Sequence, residues 1–256
     1  MQLTVLKIGG NVINNPAALY EALDYFAGLV EPAILVHGGG RKANELITEL
    51  GREPVMMGGR RITDAPTLEI VTMVYAGLLN KNIVAGLQQR GTNAIGLSGA
   101  DGNAILARKR PAGKVDYGFA GDVIRVNHQL LSELLRLSLR PVLCAITHDA
   151  KGQLLNTNAD TIAAETAKAL AGAGYTVSLK YCFELPGVLR NIADPTSLLP
   201  QITAPAYSQL KDEGVIAGGM VPKLDNAFAA IEAGVDTVVI GDLHNLREGL
   251  GTTLTK

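Results

Sequence analysis

Leu3-Thr4-Val5-Leu6-Lys7-Ile8-Gly9-Gly10 and Ala33-Ile34-Leu35-Val36-His37-Gly38-Gly39-Gly40 decide the fold class. Each is an apolar run of strand length that stops on glycines and is followed by a segment of helix length. Strands covered on both faces read as nearly continuous apolar runs, the mark of a parallel sheet between helices. Residues 16–30 read as the first helix, with Asn15 as N-cap and Pro16 at the first helical position. Residues 41–50 read as the second, ended by Gly51.

The alternation continues along the chain. Residues 55–62 read as a hairpin turning at Gly58-Gly59, and residues 67–89 as a long helix carrying Gly77 and Gly86. Further strands are predicted at 94–97, 141–146, 177–179, 188–189 and 237–240, and an antiparallel ribbon at 103–126. Helices are predicted at 129–139, 158–171, 205–213 and 220–233, with residues 252–255 as a final edge strand. The fold class is α/β with a mainly parallel central sheet. Gly172-Ala173-Gly174 is the weakest seam, dividing the chain into lobes 1–173 and 174–256 that share one sheet.

Composition narrows the function. Against 23 Lys+Arg stand 24 Asp+Glu, a net charge of −1, which fits neither a basic nucleic-acid binder nor an acidic tail. Cys144 and Cys182 sit in apolar stretches and read as buried reduced thiols. The N-terminus lacks the features of a signal peptide and no apolar run approaches 18 residues, so a cytoplasmic protein with no membrane partner is expected. Glycine is the outlier at 29 of 256 residues, against about 7% in average usage. Its clusters at 9–10 and 38–40 fall at strand ends, where bare backbone wraps an anion without Cβ clashes.

Several polar residues point the same way. Lys7 interrupts an apolar strand just before Gly9, and a buried ammonium is costly without an anion. Lys223 lies just inside the helix that follows Gly218-Gly219, the end of a helix that disfavours cations. Asn156-Thr157-Asn158-Ala159-Asp160 enters another helix, and capping accounts for only one of its three polar side chains comfortably. Arg60-Arg61 reads either as a fork for a carboxylate or as a solvated charge pair, and His37 as a hydrogen-bonded structural histidine. Two misplaced lysines and one displaced aspartate suggest a shared polyanion. One rival remains: Gly38-Gly39-Gly40-Arg41-Lys42-Ala43, with Asp64 downstream, formally fits a dinucleotide fingerprint and an NAD-dependent dehydrogenase, but leaves Lys7, Asp160 and Lys223 without a role.

Lys7-Ile8-Gly9-Gly10, His37-Gly38-Gly39-Gly40, Gly59-Arg60-Arg61-Ile62-Thr63, Asn156 to Asp160 and Gly218 to Lys223, in that order, resemble the amino-acid kinase family. The resemblance is strongest to its members that phosphorylate N-acetyl-L-glutamate on the γ-carboxylate in arginine biosynthesis. It implies an αβα sandwich of the carbamate kinase-like fold. The N-terminal lobe would bind the acylated glutamate and form a homodimer, and the C-terminal lobe would bind ATP, with Mg2+ carried on the ATP phosphates. By motif position, the resemblance makes Lys7 and Lys223 the stabilisers of the transferring phosphoryl group, with Asp160 orienting both. Gly10 and Gly40 would donate backbone N–H groups to it, and Gly39 would help hold the side-chain carboxylate. Arg61 and Asn156 would grip the α-carboxylate, with Asn158 beside them; Gly9, Glu184 and Gly219 would lie on the nucleotide side.

Two departures stand out. Lys180-Tyr181-Cys182-Phe183-Glu184-Leu185-Pro186-Gly187 places Glu184 where relatives carry an aspartate. The chain opens on its first strand without the helix of ring-forming, arginine-sensing members, which implies a dimer insensitive to arginine. N-succinylglutamate remains an alternative substrate, its extra carboxylate to be met by Arg41, Lys42, Arg60 or Lys109. Another phosphotransferase activity of the family and a non-catalytic binding module remain open beside it.

Overall fold

The computed structural model describes residues 1–256. The chain opens with β1 (Gln2–Ile8), the short α1 (Gly10–Asn14), α2 (Pro16–Ala27), β2 (Ala33–His37) and α3 (Gly40–Glu49). A hairpin of β3 (Met56–Met57) and β4 (Arg60–Arg61) leads into α4 (Ala65–Thr72), a π-helical segment Met73–Leu79 and α5 (Asn80–Gln89). Next come β5 (Ala94–Leu97), β6 (Ile105–Lys109), β7 (Ala120–Val126), α6 (His128–Arg136), β8 (Arg140–Cys144), β9 (Ile146–His148), β10 (Leu154–Thr157) and α7 (Ala159–Gly172). The last part holds β11 (Thr176–Cys182), β12 (Gln201–Thr203), α8 (Ala204–Asp212), α9 (Met220–Glu232), β13 (Thr237–Gly241), α10 (Leu243–Arg247) and β14 (Thr252–Thr255).

Eight strands form the central sheet in the order β12-β14-β13-β11-β1-β2-β8-β5. Pairing is parallel from β13 through β5, and only the β13–β14 pair is antiparallel. Every residue of β2 is buried, as is every residue of β1 after Gln2, which is why these strands read as continuous apolar runs. Helices cover both faces. One layer joins α2 to α5 and α10; the other joins α7 to α6 and α9. The architecture is an αβα sandwich, as the resemblance implies. Beside it, β6, β7, β9 and β10 close into a four-stranded ring.

Local chemistry sets most helix starts. Asn15 accepts hydrogen bonds from the Ala17 and Ala18 amides ahead of α2, with Pro16 at the first position. Gly58 and Gly59 hold φ values of +55° and +74°, the left-handed backbone that lets β3 fold back on β4. The α4-to-α5 stretch is apolar enough by length and composition to cross a membrane. Here Leu68, Ile70, Val71, Val74, Tyr75, Leu79, Ile83 and Leu87 are buried in the core.

Several sequence expectations change. Residues 252–255 form a strand, but β14 lies between β12 and β13, and β12 is the edge that the sequence pattern missed. The predicted strand at 188–189 is a single isolated bridge between Leu189 and Leu198. The predicted ribbon forms as β6 and β7, but it is half of the ring and not an independent hairpin. Distant β9 and β10 close that ring, and local patterning carries no signal for such pairing. Gly96 of β5 shows how tightly α5 packs on the sheet: a Cβ there would lie 1.9 Å from Asn80 Oδ1. Asn80 is held by hydrogen bonds to Val142 O and His37 Nε2. Gly96→Ala should therefore lower stability by about 2 kcal/mol, read as a lower urea midpoint at unchanged slope.

Candidate active site

The parallel register brings five strand ends to one edge of the sheet. Ile8 pairs with both His37 and Cys182, His37 with Cys144, and Cys182 with Gly241. Just past these ends lie Gly9-Gly10, Gly38-Gly39-Gly40 and Phe183-Glu184. Helix capping separates this region from the rest of the molecule. Six helices (α2, α4, α6, α7, α8 and α10) start on a side chain that accepts a hydrogen bond from their first turn. α1, α3 and α9 start instead on Gly9, Gly39 and Gly219, with no side-chain cap. α1 and α3 are neighbours. Their unspent N–H groups and positive helix ends favour an anion.

The cationic centre stands at this edge. Lys7, 8% exposed on β1, places its Nζ 2.6 Å from Asp160 Oδ1 in the first turn of α7. The two side chains form a close, nearly buried ion pair. Burial pushes the Asp160 carboxyl upward, but Lys7 and Lys223 more than offset this and hold it below the ordinary aspartate range. Lys223, on α9, stands over the Phe183 ring at 4.6 Å. Burial lowers its pKa, attraction to Asp160 opposes the shift, and repulsion from Lys7 adds to it. Lys7, Asp160 and Lys223 thus form one electrostatically coupled group. A second ammonium crowding the first is tolerable beside a highly charged anion.

A 180 Å³ cavity opens beside this centre, walled by Gly38 to Gly40, Arg61, Tyr75, Asn156 and Asn158 among others. Arg61 is 7% exposed; its Nη2 donates to Gly40 O at 2.9 Å and to Asn44 Oδ1 at 2.6 Å. Its Nη1 is buried and without a partner. Asn156 Nδ2 donates to Thr63 Oγ1 at 3.0 Å, leaving its amide oxygen facing no donor of the chain. Gly39 is required by close approach: a Cβ there would lie 2.4 Å from Leu79 Cδ1 and 2.8 Å from Tyr75 Cδ1.

Not every predicted site residue faces a ligand in the same way. Asn158 lines the cavity, but its Oδ1 caps α7 by accepting from Thr161 N at 3.0 Å, so its backbone and amide nitrogen are what it offers. Glu184 is exposed, and its charge favours the Lys223 ammonium. Gly219 is exposed at the start of α9. Sequence reasoning missed Tyr75 and Arg110, both of which line the cavity. Tyr75 reads as one more apolar-face residue of a long helix, and Arg110 lies in an irregular ribbon. A second pocket of 370 Å³, mostly apolar, is walled by Leu185, Val188, Leu189, Ile216 and Met220 and adjoins the start of α9.

The chain belongs to the amino acid kinase family, whose model matches residues 2–242. A relative from Cytophaga hutchinsonii called acetylglutamate kinase is 54% identical over 248 residues, covering 96% of this chain and 94% of that protein. Another of the same name, from Phocaeicola vulgatus, is 52% identical over 255 residues, covering 100% and 99% respectively. Carbamate kinase from Giardia lamblia bound to AMP-PNP superposes with a TM-score of 0.72 at 14% identity, covering 100% of this chain and 98% of that one, and shares the fold.

His37 supports the site without reaching it. It is fully buried, its Nδ1 donates to Gly38 O at 2.8 Å, and its Nε2 accepts from Asn80 Nδ2 at 3.1 Å. Burial pushes its pKa down to about 4 from 6.5. The fold therefore holds the neutral ring, while the unfolded chain takes up a proton once the pH falls below 6.5. This contribution is complete above pH 6.5 and lost as the pH falls to about 4, a change of about 3 kcal/mol. Urea titrations from pH 7.5 to 4 should show that loss in the wild type and its absence in His37→Gln.

Proposed function

We propose that this chain transfers the γ-phosphoryl group of ATP to the γ-carboxylate of N-acetylglutamate, forming an acyl phosphate in cytoplasmic arginine biosynthesis. The observation that carries this reading is the Lys7–Asp160 ion pair, 2.6 Å apart, at the edge where α1 and α3 present uncapped N-termini. A side-chain carboxylate with a pKa of about 4.3 is ionised at neutral pH, so the nucleophile needs no general base. The obstacle is repulsion. Two unit charges about 3 Å apart oppose each other by roughly 5 kcal/mol at an effective dielectric of about 20. Fixed cations and N–H dipoles lower that barrier without reorganising during the reaction.

Each group then has a task. Lys7 and Lys223 neutralise the transferring phosphoryl oxygens, and Asp160 keeps the two ammonium groups turned toward them. Gly10 and Gly40 donate N–H groups to the phosphoryl group, and Gly39 lets the γ-carboxylate approach the backbone. Arg61 Nη1 and Asn156 take the α-carboxylate, which would satisfy the guanidinium nitrogen left without a partner. Residues 1–173 hold the amino acid and residues 174–256 the nucleotide, its base in the apolar pocket between Leu185 and Met220 and its phosphates at Gly9, Gly219 and Lys223. Mg2+ arrives on the ATP phosphates and adds positive charge there.

Hydroxylamine trapping of the acyl phosphate with MgATP and N-acetylglutamate should give a hydroxamate; its absence with every acylated glutamate offered would sink the reading. Lys7→Ala should lower kcat by at least about a hundredfold. Arg61→Ala should mainly raise KM for the amino acid, by about tenfold or more.

One observation favours N-succinylglutamate as a second reading. Arg60 and Arg110 line the same cavity as Arg61. Arg110 Nε donates to Asp122 at 3.0 Å, whereas Arg60, half-buried, has no carboxylate partner, and burial and Arg110 push its pKa down. A succinyl carboxylate would offset that charge. Arg60→Ala should then lower kcat/KM for the succinyl substrate at least tenfold more than for the acetyl one.

A homodimer follows from the same reading. Met73, 56% exposed, lines an apolar groove with Leu68, Phe119 and Leu154, and Leu78 of the same long helix is 46% exposed. Exposed apolar side chains of this kind suit a two-fold contact. The wild type should sediment at twice the chain mass and Met73→Asp at once the chain mass.

A further inference from the structure

Tyr75 is the buried tyrosine whose hydroxyl donates to nothing in the protein. Three tyrosines are buried, and two of them spend their hydroxyls within the protein: Tyr181 donates to Asp160 O at 3.2 Å, and Tyr207 to Asp225 Oδ1 at 2.6 Å. Tyr75 is 4% exposed, yet its hydroxyl donates to no acceptor of the chain and opens onto the cavity. Burial raises its pKa, against the opposing effect of Arg61, so the hydroxyl keeps its proton at neutral pH. A donor left unspent in a cavity wall is available to an acceptor on a ligand.

The backbone places that hydroxyl. Tyr75 lies in the π-helical segment Met73–Leu79, and a π insertion turns the two flanking parts of a helix by about 100° relative to each other. As a result, Tyr75 and Leu79 both press on Gly39, where a Cβ would lie 2.8 Å from Tyr75 Cδ1 and 2.4 Å from Leu79 Cδ1. The ring thus runs beneath the glycine turn and delivers its hydroxyl next to Gly40. A Cβ on Gly40 would lie 3.9 Å from Tyr75 Oη and 3.7 Å from Arg61 Nη2. Arg61 Nη1, buried and without a partner, belongs to the same wall. Two unspent donors, one of them charged, side by side in a cavity are matched by a carboxylate, which offers both an acceptor pair and the opposite charge.

We propose that Tyr75 is a substrate-binding residue, its hydroxyl donating to the α-carboxylate that Arg61 pairs with and so helping to set affinity for the amino-acid substrate. This rests on the acylglutamate reading of the site. The contact is made equally in ground and transition states, because the α-carboxylate does not react. Its loss therefore falls on KM and leaves kcat nearly unchanged.

The test compares wild type with Tyr75→Phe, which keeps the ring packing against Gly39 and removes only the hydroxyl. Under saturating MgATP, KM for N-acetylglutamate should rise about tenfold, with kcat and KM for ATP within about twofold of wild type. The same pair is then offered the analogue whose α-carboxylate is a carboxamide. The wild type should lose much more affinity for it than Tyr75→Phe does, a coupling that a merely structural role would not produce. Thermal melts of both proteins accompany the kinetics. If the wild type turns over N-acetylglutamate and Tyr75→Phe matches it in KM, or both lose equally on the carboxamide, the Tyr75 assignment is overturned while the kinase reading stands. If the wild type neither binds nor phosphorylates any acylated glutamate, the kinase reading falls and takes the Tyr75 assignment with it.

Discussion

The ion pair of Lys7 and Asp160 is the constraint from which the rest of the site follows. An ammonium on a central strand, nearly out of water, is unfavourable unless an opposite charge meets it there. Asp160 provides that charge only because α7 begins at the same edge at which β1 ends. The parallel register delivers this coincidence, with Ile8 opposite both His37 and Cys182. Removing one partner would leave a buried charge without compensation, so the pair fixes the relative positions of β1 and α7. A third charge, Lys223, overloads the pair with positive charge. On the proposed reading, that excess is what a polyanionic ligand would neutralise.

The glycines extend the same logic into the backbone. Six helices in this chain spend a side chain on their N-terminus; α5 continues directly from the π-helical segment, and the remaining three, α1, α3 and α9, begin on glycine. Where a cap is missing, N–H groups and a helix dipole are left for a ligand. Gly39 has a second reason to lack a side chain, because Tyr75 and Leu79 already fill the space a Cβ would need. The cavity beyond it is lined with donors, not bases, which suits a reaction whose nucleophile is ionised before it arrives. On the proposed reading, catalysis on this arrangement would be positioning and charge neutralisation.

Much of this was legible in the sequence because it is local. Apolar runs stopped by glycines marked β1 and β2, Asn15 and Pro16 marked the start of α2, and Lys7 stood out as a charge in an apolar strand. What escaped was set by distant pairing. β14 carries the composition of an edge strand, yet β12 pairs outside it. The ring of β6, β7, β9 and β10 unites segments up to about fifty residues apart, and only tertiary closure makes β9 and β10 strands. Tyr75 escaped for another reason: helical periodicity assigns it to the core, and only the π-helical turn brings its hydroxyl to the cavity. Asn158, singled out for function, turned out to divide its side chain between a cap and the cavity wall.

The central claim is that Asp160 organises two lysines around a transferring phosphoryl group. The most direct measurement is the rate of acyl phosphate formation by Asp160→Asn at saturating MgATP and acylated glutamate, with far-UV circular dichroism verifying the folded state. The rate should be lower by at least about a hundredfold, with KM for the amino acid within about threefold of wild type. A folded Asp160→Asn enzyme working within threefold of the wild-type rate would contradict it.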